Sequence, residues 1–181
     1  MTDRDQLLDA AEQLFYARGI QAVGMDAIRS ASGVPLKRIY QLYGGKEELV
    51  VGFLRRRDQR WLASLRQHVD THSDADARIL AVFDWLHDWF ATPDFRGCAW
   101  INAYGELGAT SPAVADEVRA HKQAFADSLA GLVADAGRPA ALARSLYLLA
   151  EGAIVAAAIH RSPDAAADAR ATAAALLATR N

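Results

Sequence analysis

The sequence predicts an all-α protein of about nine helices, because its apolar residues recur every three or four positions along nearly the whole chain. No segment shows the alternation of β-branched and polar residues, bounded by turns, that a half-buried strand requires. At 181 residues, of which 52% are hydrophobic and 23% charged, the chain can bury a substantial core. We expect two domains, the first over residues 1–60 and the second over residues 61–181.

The first helix is predicted to follow Asp3, a candidate N-cap with Gln6 three positions later. Its apolar stripe is formed by Leu7, Leu8, Ala11, Leu14 and Phe15. Gly19 comes after this stripe and is expected to end the helix, because glycine readily takes the left-handed conformation found at helix C-termini.

The second and third helices are short and close together, the second at residues 25–32 and the third ending near Leu42. Gly33, between them, can take the positive φ that the turn of a helix-turn-helix commonly requires. A small core under this turn is expected from Ile28, Ala31, Val34, Ile39 and Leu42. The outward positions of the third helix are Leu36, Lys37, Arg38, Tyr40 and Gln41. Their cations, amide and hydroxyl can donate hydrogen bonds to base edges and phosphates in a major groove.

Positive charge is concentrated near these helices, although the whole chain has a net charge of −2. Residues 29–60 contain eight Lys or Arg against three acids, whereas residues 61–181 contain ten basic and fourteen acidic residues. This asymmetry indicates that the N-terminal part faces nucleic acid. Arg55, Arg56 and Arg57 point in three directions from one helix, so this arginine triplet could contact DNA or be a solvated face.

A long fourth helix is expected from Lys46 to about His72, and five more helices after it. Lys46 stands in its first turn, where the helix dipole and free N–H groups attract a phosphate. The later helices are separated by breaks that carry Pro or cap-forming residues, at Thr71–Ser73, Thr92–Asp94, Ala109–Pro112, Gly137–Pro139 and Ser162–Asp164.

Several short patterns follow one another near the N-terminus: Leu14-Phe15 and Gly19, Ile28 and Ala31-Ser32-Gly33-Val34, Ile39-Tyr40, Tyr43, and Lys46-Glu47-Glu48-Leu49. In this order and spacing, residues 5–55 resemble the TetR/AcrR family of bacterial transcriptional repressors. The resemblance implies that Tyr40 and Lys46 hold the DNA backbone, while residues 36–38 read or skirt the bases. The DNA-binding surface expected from it is Leu36, Lys37, Arg38, Tyr40, Gln41, Tyr43 and Lys46.

The chain departs from the pattern of this family in three places. Val23-Gly24 stands where a Thr or Ser usually caps the second helix, and Arg29 stands where Ala is usual. Lys37-Arg38 replaces the small pair, often Gly-Thr, that lets the recognition helix lie close to the groove. The operator sequence therefore does not carry over, although a bidentate pair with Arg38 would favour guanine by about 1–3 kcal/mol.

The C-terminal domain of this family varies with the ligand that it binds. In this chain, two predicted helices of that part, at 74–92 and 97–109, are rich in aromatic residues. Ligand cavities are lined by such side chains with a few polar groups among them. The pocket expected for a small hydrophobic or aromatic inducer is Trp85, Trp89, Cys98, Trp100, Tyr104, His121 and Glu151. The alternative is that these aromatic residues are plain core. No cofactor or metal is expected, because no glycine-rich phosphate loop and no metal-spaced His cluster is present.

Arg96-Gly97-Cys98 resembles a Gly-Cys element of one branch of the family, some of whose members sense electrophiles or oxidants through a cysteine. A helix N-terminus and a nearby cation favour the reactive thiolate. The alternative is a buried cysteine that behaves as a small hydrophobic residue. Cys98 is the single cysteine and cannot form an intramolecular disulfide, which fits a reducing compartment.

The resemblance also implies a homodimer, formed by a four-helix bundle of the last two helices over residues 139–181. This segment contains seventeen alanines, and Gly152-Ala153 with Ala156-Ala157 would let two backbones approach closely. Genome composition is the competing explanation for the alanines. A dimer is required for two recognition helices to reach successive major grooves ~34–36 Å apart.

The function implied is that of a cytoplasmic, ligand-responsive repressor that an inducer releases from its DNA operator. The N-terminus shows no signal or transit peptide, and no uninterrupted apolar run is long enough to span a membrane. Two other classes stay open. One is a small helical enzyme that uses Glu106, His121 or Cys98, and the other is a dimeric adaptor that does not bind DNA.

Overall fold

The structure is a computed structural model that describes residues 1–179, and within this range it consists of α-helices joined by turns and loops. The described range contains nine helices, which confirms the all-α prediction. They are α1 (Asp3–Arg18), α2 (Met25–Ser32), α3 (Leu36–Leu42), α4 (Lys46–Val69), α5 (Ala75–Phe90), α6 (Ala99–Leu107), α7 (Pro112–Asp135), α8 (Ala140–His160) and α9 (Asp164–Ala178).

Helix α1 begins one residue earlier than expected, because Thr2 rather than Asp3 is its N-cap. The Thr2 hydroxyl accepts a hydrogen bond from the Asp5 backbone N–H at 3.2 Å, and Asp5 Oδ2 accepts one from the Thr2 backbone N–H at 3.0 Å. This reciprocal pair satisfies two donors that the start of a helix would otherwise leave unpaired. Gly19 ends the helix at the predicted position, although its φ of 86° and ψ of 152° differ from the left-handed helical conformation expected there.

The turn between α2 and α3 has the predicted geometry. Gly33 ends α2 in the left-handed conformation, with a φ of 70° and a ψ of 0°. Ile28, Val34 and Ile39 are buried beneath the turn, as expected. Ala31 is exposed instead of buried, because it lies on the outer face of the short helix α2. The two helices are thus joined tightly enough for α3 to present one face outward.

The chain divides into two compact units. The first consists of Met1–Gln59 with Ala99–His121, and the second of Arg60–Cys98 with the described part of Lys122–Asn181. Helices α4 and α7 each contribute one part to both units. The functional boundary at residue 60 stays a prediction.

The first unit has a core that includes helices from beyond the N-terminal three. Its fully buried side chains include Leu7, Ile28, Ile39, Leu49, Trp100 and Val114. Phe15 of α1 meets Phe53 of α4 with ring centroids 6.0 Å apart. The core of the first unit therefore combines side chains of α4, α6 and α7 with side chains of α1, α2 and α3.

The second unit is built around α9, which packs against α5 and α8. The inner face of α9 is made of Ala166, Ala169, Ala173 and Leu177. An aromatic cluster lies in the same unit, where Trp61 meets Trp85, Trp89 and Phe125 edge-to-face at 4.8, 5.7 and 5.1 Å between centroids. Part of the alanine content therefore serves close packing within one chain.

Helix α8 is the one helix of residues 1–179 that is long and apolar enough, by length and composition, to cross a membrane. It has 21 residues and carries Arg144 and Glu151 among its apolar ones. This indication is weak, because core helices meet the same criterion and α8 packs against α9.

Candidate DNA-binding surface and ligand site

Helix α3 turns its polar side chains to solvent and an apolar one to the core. The exposed positions are Lys37, Arg38, Tyr40 and Gln41. Tyr40 is 48% exposed although it is aromatic, whereas Ile39 beside it is fully buried. Ile39 therefore fixes the rotation of the helix, and Leu36 at its start is half-buried. Four of the five side chains expected to point outward do so, Leu36 being the exception. The contact of this helix with DNA stays a prediction.

Arg38 and Arg29 form ion pairs at the protein surface. Arg38 Nε donates to Asp3 Oδ2 at 2.9 Å, and Arg29 Nε donates to Asp26 Oδ1 at 3.3 Å. Exposed pairs of this kind contribute only about 0–1 kcal/mol. Arg38 can therefore leave Asp3 for the edge of a base at little cost in free energy.

Tyr43 is buried, which corrects its expected place on the DNA-binding surface. It is 6% exposed, and its ring lies so close to Gly52 of α4 that a Cβ atom there would come within 2.7 Å of it. Burial raises the pKa of its hydroxyl, and the cations of Arg4 and Arg56 oppose that shift. Tyr43 follows α3 in extended backbone, with a φ of −140° and a ψ of 127°. The overlooked signal was Gly52, a glycine inside a helix that makes room for a ring.

Lys46 stands in the first turn of α4, as predicted. Burial lowers the pKa of its ammonium group, and the negative charge of Glu106 opposes this shift. Glu48, in the same turn, accepts a hydrogen bond from the Gly44 backbone N–H at 2.9 Å. A phosphate at this end of α4 would meet a lysine and the positive end of a helix dipole.

The arginine triplet of α4 is engaged in ion pairs inside the first unit. The pairs are Arg55–Glu117 at 2.8 Å, Arg56–Asp9 at 2.8 Å and Arg57–Glu12 at 2.7 Å. The guanidinium of Arg57 also lies over the ring of Tyr16, 4.1 Å from its centroid. These contacts join α4 to α1 and α7, so the triplet has a structural role that the sequence did not indicate.

Two of the residues expected in the ligand pocket, Trp100 and His121, stack on each other in the first unit. Their ring centroids are 3.4 Å apart and their planes differ by 5°. His121 is buried, and its Nδ1 lies 2.6 Å from Oδ1 of Asp58. Tyr104, on the same helix as Trp100, is exposed. Trp100 and His121 are thus part of a packed polar core that joins α4, α6 and α7.

Cys98 and Glu151, two further pocket candidates, meet at Lys122 in the second unit. Lys122 Nζ donates to the two carboxylate oxygens of Glu151 at 2.8 and 2.6 Å and lies 3.4 Å from Cys98 Sγ. Burial by itself would lower the pKa of Lys122, but its electrostatic interactions with Cys98 and Glu151 raise it. Burial and the Glu151 carboxylate raise the pKa of the nearby Tyr147 hydroxyl. Cys98 itself is buried and precedes the first residue of α6, as expected.

The second unit contains a cleft of about 260 Å³ lined by α4, α5 and α7. Its apolar lining includes Leu62, Leu65, Val69, Val82, Phe125 and Leu129. Its polar lining includes Arg66, Asp70, Arg78, Asp127 and Asp135. Arg78 Nη2 donates to Asp70 at 2.8 Å, so part of the polar lining is already paired.

None of the seven residues expected in the ligand pocket lines this cleft. Phe125 connects the cleft to two of the expected pocket residues. It lines the cleft and contacts Trp61, which in turn contacts Trp85 and Trp89. The expected pocket residues lie mostly on the aromatic helices α5 and α6, whereas the cleft lies mainly along α4 and α7. The signal that could have found it is the apolar stripe of α7, which runs through Phe125 and Leu129 beside acidic residues.

Each of the three residues considered for catalysis already contacts another residue of the chain. The Glu106 carboxylate accepts backbone hydrogen bonds, His121 pairs with Asp58, and Cys98 lies beside Lys122. Glu106 and His121 belong to the first unit and Cys98 to the second. Within residues 1–179, no three His, Cys, Asp or Glu side chains are grouped so as to hold a metal ion.

Two family models match the chain over separate segments. Residues 7–52 match the model described as "Bacterial regulatory proteins, tetR family". Residues 75–173, more than half of the chain, match the model described as "Tetracyclin repressor-like, C-terminal domain". The first match includes α2, α3 and the first turn of α4.

Solved structures and a named relative agree with these matches. A TetR-family transcriptional regulator from Streptomyces coelicolor has a TM-score of 0.87 and 30% identity, covering 97% of this chain and 94% of that one. A putative TetR transcriptional regulator from Streptomyces avermitilis has a TM-score of 0.80 and 28% identity, covering 90% of each chain. The HTH-type transcriptional activator FasR of Mycolicibacterium smegmatis is 34% identical over 146 residues, which are 79% of this chain and 64% of FasR. The match therefore spans slightly less than two thirds of FasR.

Proposed function

The chain belongs to the TetR family of bacterial regulatory proteins, and from that premise we propose that it is a sequence-specific DNA-binding repressor that a small-molecule inducer releases from its operator. Regulators of this family bind DNA operators and act as dimers with ligand-binding C-terminal domains. The observation that carries the proposal is the exposed polar face of α3, which the Gly33 turn and the buried Ile39 hold in place.

The proposed DNA-binding surface consists of Leu36, Lys37, Arg38, Tyr40, Gln41 and Lys46. Lys37, Arg38 and Gln41 are long donors suited to base edges in the major groove. Tyr40 and Lys46 are assigned to phosphates, which position the protein on the duplex without reading its sequence. Tyr43 is left out because it is buried.

A second copy of the chain is the proposed partner of α8 and α9. One face of α8 is exposed over its whole length, at Ala141, Ser145, Leu148, Gly152, Val155 and Ile159. Leu148 and Ile159 are 64% and 71% exposed, and a Cβ atom at Gly152 would meet nothing within 4 Å. Covering each large side chain contributes about 1.5–3 kcal/mol, and Gly152 lets a second backbone come close.

The inducer is proposed to bind in the cleft of the second unit, against Phe125. A small hydrophobic or aromatic molecule suits the apolar side chains of the cleft. Phe125 also contacts Trp61, which in turn contacts Trp85 and Trp89. Such a ligand lowers operator affinity only if it binds the DNA-incompetent arrangement more tightly than the other.

Repression, rather than activation, is the proposed sign of regulation. The relative FasR is named an activator, so transcription itself has to be measured. The template carries a binding site that the wild-type protein selects from a random DNA library. In vitro transcription from this template should fall as the protein is added. A rise in transcript would replace repression by activation and leave the DNA-binding assignment intact.

We place this regulator in the cytoplasm, where its DNA is, and assign it no catalytic activity. Turnover of any substrate that is lost in Cys98→Ala or Glu106→Ala would instead identify an enzyme. A protein without salt-dependent affinity for duplex DNA would be the dimeric adaptor considered from the sequence.

DNA binding is tested on a duplex that the wild-type protein selects from a random library. Lys37→Ala combined with Arg38→Ala should lower the affinity by at least tenfold, because each good base contact contributes about 1–3 kcal/mol. Arg119→Ala is the control, since it removes an exposed arginine from α7 that pairs with Asp116 of its own helix. Unchanged affinity in the double variant would refute the assigned surface.

A further inference from the structure

The carboxylate of Glu106, on α6, is bound by the connection between α1 and α2. Its Oε1 accepts a hydrogen bond from the Ile20 backbone N–H at 2.9 Å, and its Oε2 accepts one from the Gln21 backbone N–H at 2.7 Å. Gln21 Nε2 donates a third bond to the backbone carbonyl of Glu106, also at 2.7 Å. Hydrogen bonds to a carboxylate are roughly twice as strong as neutral ones. We call this set of bonds among Glu106, Ile20 and Gln21 the Glu106 latch.

The backbone of the connection is shaped to receive the carboxylate. Gly19 has a φ of 86° and a ψ of 152°, a conformation that is essentially restricted to glycine. A Cβ atom at this position would also lie 3.3 Å from Oε1 of Glu106. Two successive N–H groups that face one anion form the kind of concave site that backbone turns build.

The latch adjoins the parts of the chain that carry the proposed DNA-binding surface. Ile20 and Gln21 lead directly into α2, which the Gly33 turn joins to α3. Lys46 lines a small cleft together with Ile20 and Gln21. The negative charge of Glu106 acts to raise the pKa of Lys46, against the effect of burial. The carboxylate on α6 therefore meets both the start of the helix-turn-helix and a proposed phosphate contact.

We propose that Glu106 is a positioning residue for DNA binding: from α6 it holds the α1–α2 connection, and with it α2 and α3, in the arrangement that fits a major groove. This inference rests on the proposed DNA-binding function. Without the carboxylate, α2 and α3 must be ordered when DNA binds, and the entropy of that ordering lowers the affinity. Any change that moves α6 acts on α2 and α3 through the same bonds.

The test compares Glu106→Ala and Glu106→Gln with the wild type on the selected duplex. Glu106→Ala should weaken binding at least tenfold in protein that circular dichroism shows to be folded. The affinity of Glu106→Gln should lie between those of the wild type and Glu106→Ala. Its amide oxygen can still accept one backbone hydrogen bond, but its amide nitrogen cannot accept the other. Asp116→Ala is the matched control, because it removes a carboxylate from an exposed pair within α7, and its affinity should equal that of the wild type.

Hydrogen exchange at Ile20 and Gln21 separates a positioning role from a purely structural one. Faster exchange of these amides in Glu106→Ala, together with wild-type affinity, would overturn the inference. If Glu106→Ala does not fold, Glu106→Gln decides, and undiminished affinity in that variant overturns the inference as well. A wild-type protein that selects no duplex would instead overturn the proposed function.

Discussion

Replacing Glu151 by alanine would leave the Lys122 ammonium in a largely enclosed site without its carboxylate. The two side chains are only 18% and 17% exposed, and the ammonium donates to both carboxylate oxygens at 2.8 and 2.6 Å. Removing one partner of a fully buried ion pair costs about 3–5 kcal/mol. Because about a sixth of each side chain still meets water, we expect Glu151→Ala to cost about 2–4 kcal/mol.

Thermal and urea unfolding measure this cost, with all proteins at one concentration because dimerisation adds to stability. A loss of this size should lower the melting temperature by about 5–15 °C in a chain of this length. The double variant Lys122→Met with Glu151→Leu should be closer to the wild type, because it leaves no unpaired charge. Glu151→Ala within about 0.5 kcal/mol of the wild type, the usual range for surface changes, would refute the reasoning.

The pH dependence of this loss follows from the raised pKa of Lys122. Burial alone would lower that pKa, but electrostatic interactions with the neighbouring Cys98 and Glu151 raise it above the ordinary 10.5. A raised pKa means that the ammonium contributes its stability at every pH below 10.5 and loses it as the pH rises through the folded-state value. The wild type should therefore keep this contribution around neutral pH, and its advantage in unfolding free energy over Glu151→Ala should shrink in strong alkali.

Three further predictions concern other parts of the chain. Tyr43→Phe removes a buried hydroxyl without a hydrogen-bond partner in the described chain, so it should stabilise the protein by about 1 kcal/mol without weakening DNA binding. A tenfold loss of affinity would return Tyr43 to the DNA-binding surface. Gly33→Ala places a side chain at a φ of 70° and should lower the free energy of chemical unfolding by about 1–2 kcal/mol. Gly131→Ala, in open space within α7, should raise it by up to about 1 kcal/mol, and equal effects of the two changes would contradict this reasoning. Leu148→Glu with Ile159→Glu should convert the dimer to a monomer in analytical ultracentrifugation, and a persistent dimer would place the interface elsewhere.

The fold could be predicted largely because its signals are local. Gly19 and Gly33 end helices by their own backbone freedom, and both do so in the structure. Ile39 is buried because it sits on the apolar side of a short periodic helix. Tyr43 could not be placed in this way, because the direction of its side chain depends on Gly52 in another helix.

The cleft of the second unit could not be located from the sequence, because aromatic residues mark packed cores and pockets alike. Trp100 fills its space with His121, and Trp85 fills its space with Trp61. The cleft formed instead where α7 faces α4 and α5, which is a matter of helix packing. The partners of Glu106 are backbone N–H groups more than eighty positions away, and no side-chain pattern in a sequence identifies such donors.

The salt dependence of DNA binding provides a final test, because much of the positive charge of residues 29–60 is paired within the molecule. The arginine triplet is paired with acids of α1 and α7, which leaves Lys37, Arg38 and Lys46 as the proposed DNA-facing cations. Of these, Lys46 is the cation assigned to a phosphate, so a dimer would neutralise about two phosphates, and the logarithm of the binding constant should fall with the logarithm of salt concentration at a slope of about −2. If the three arginines of the triplet also reached phosphates, the count would rise to about eight and the slope would be about −7. A value near the second figure would mean that the ion pairs of the triplet open on DNA, and that charge counting along the sequence had identified more of the interface than side-chain geometry does.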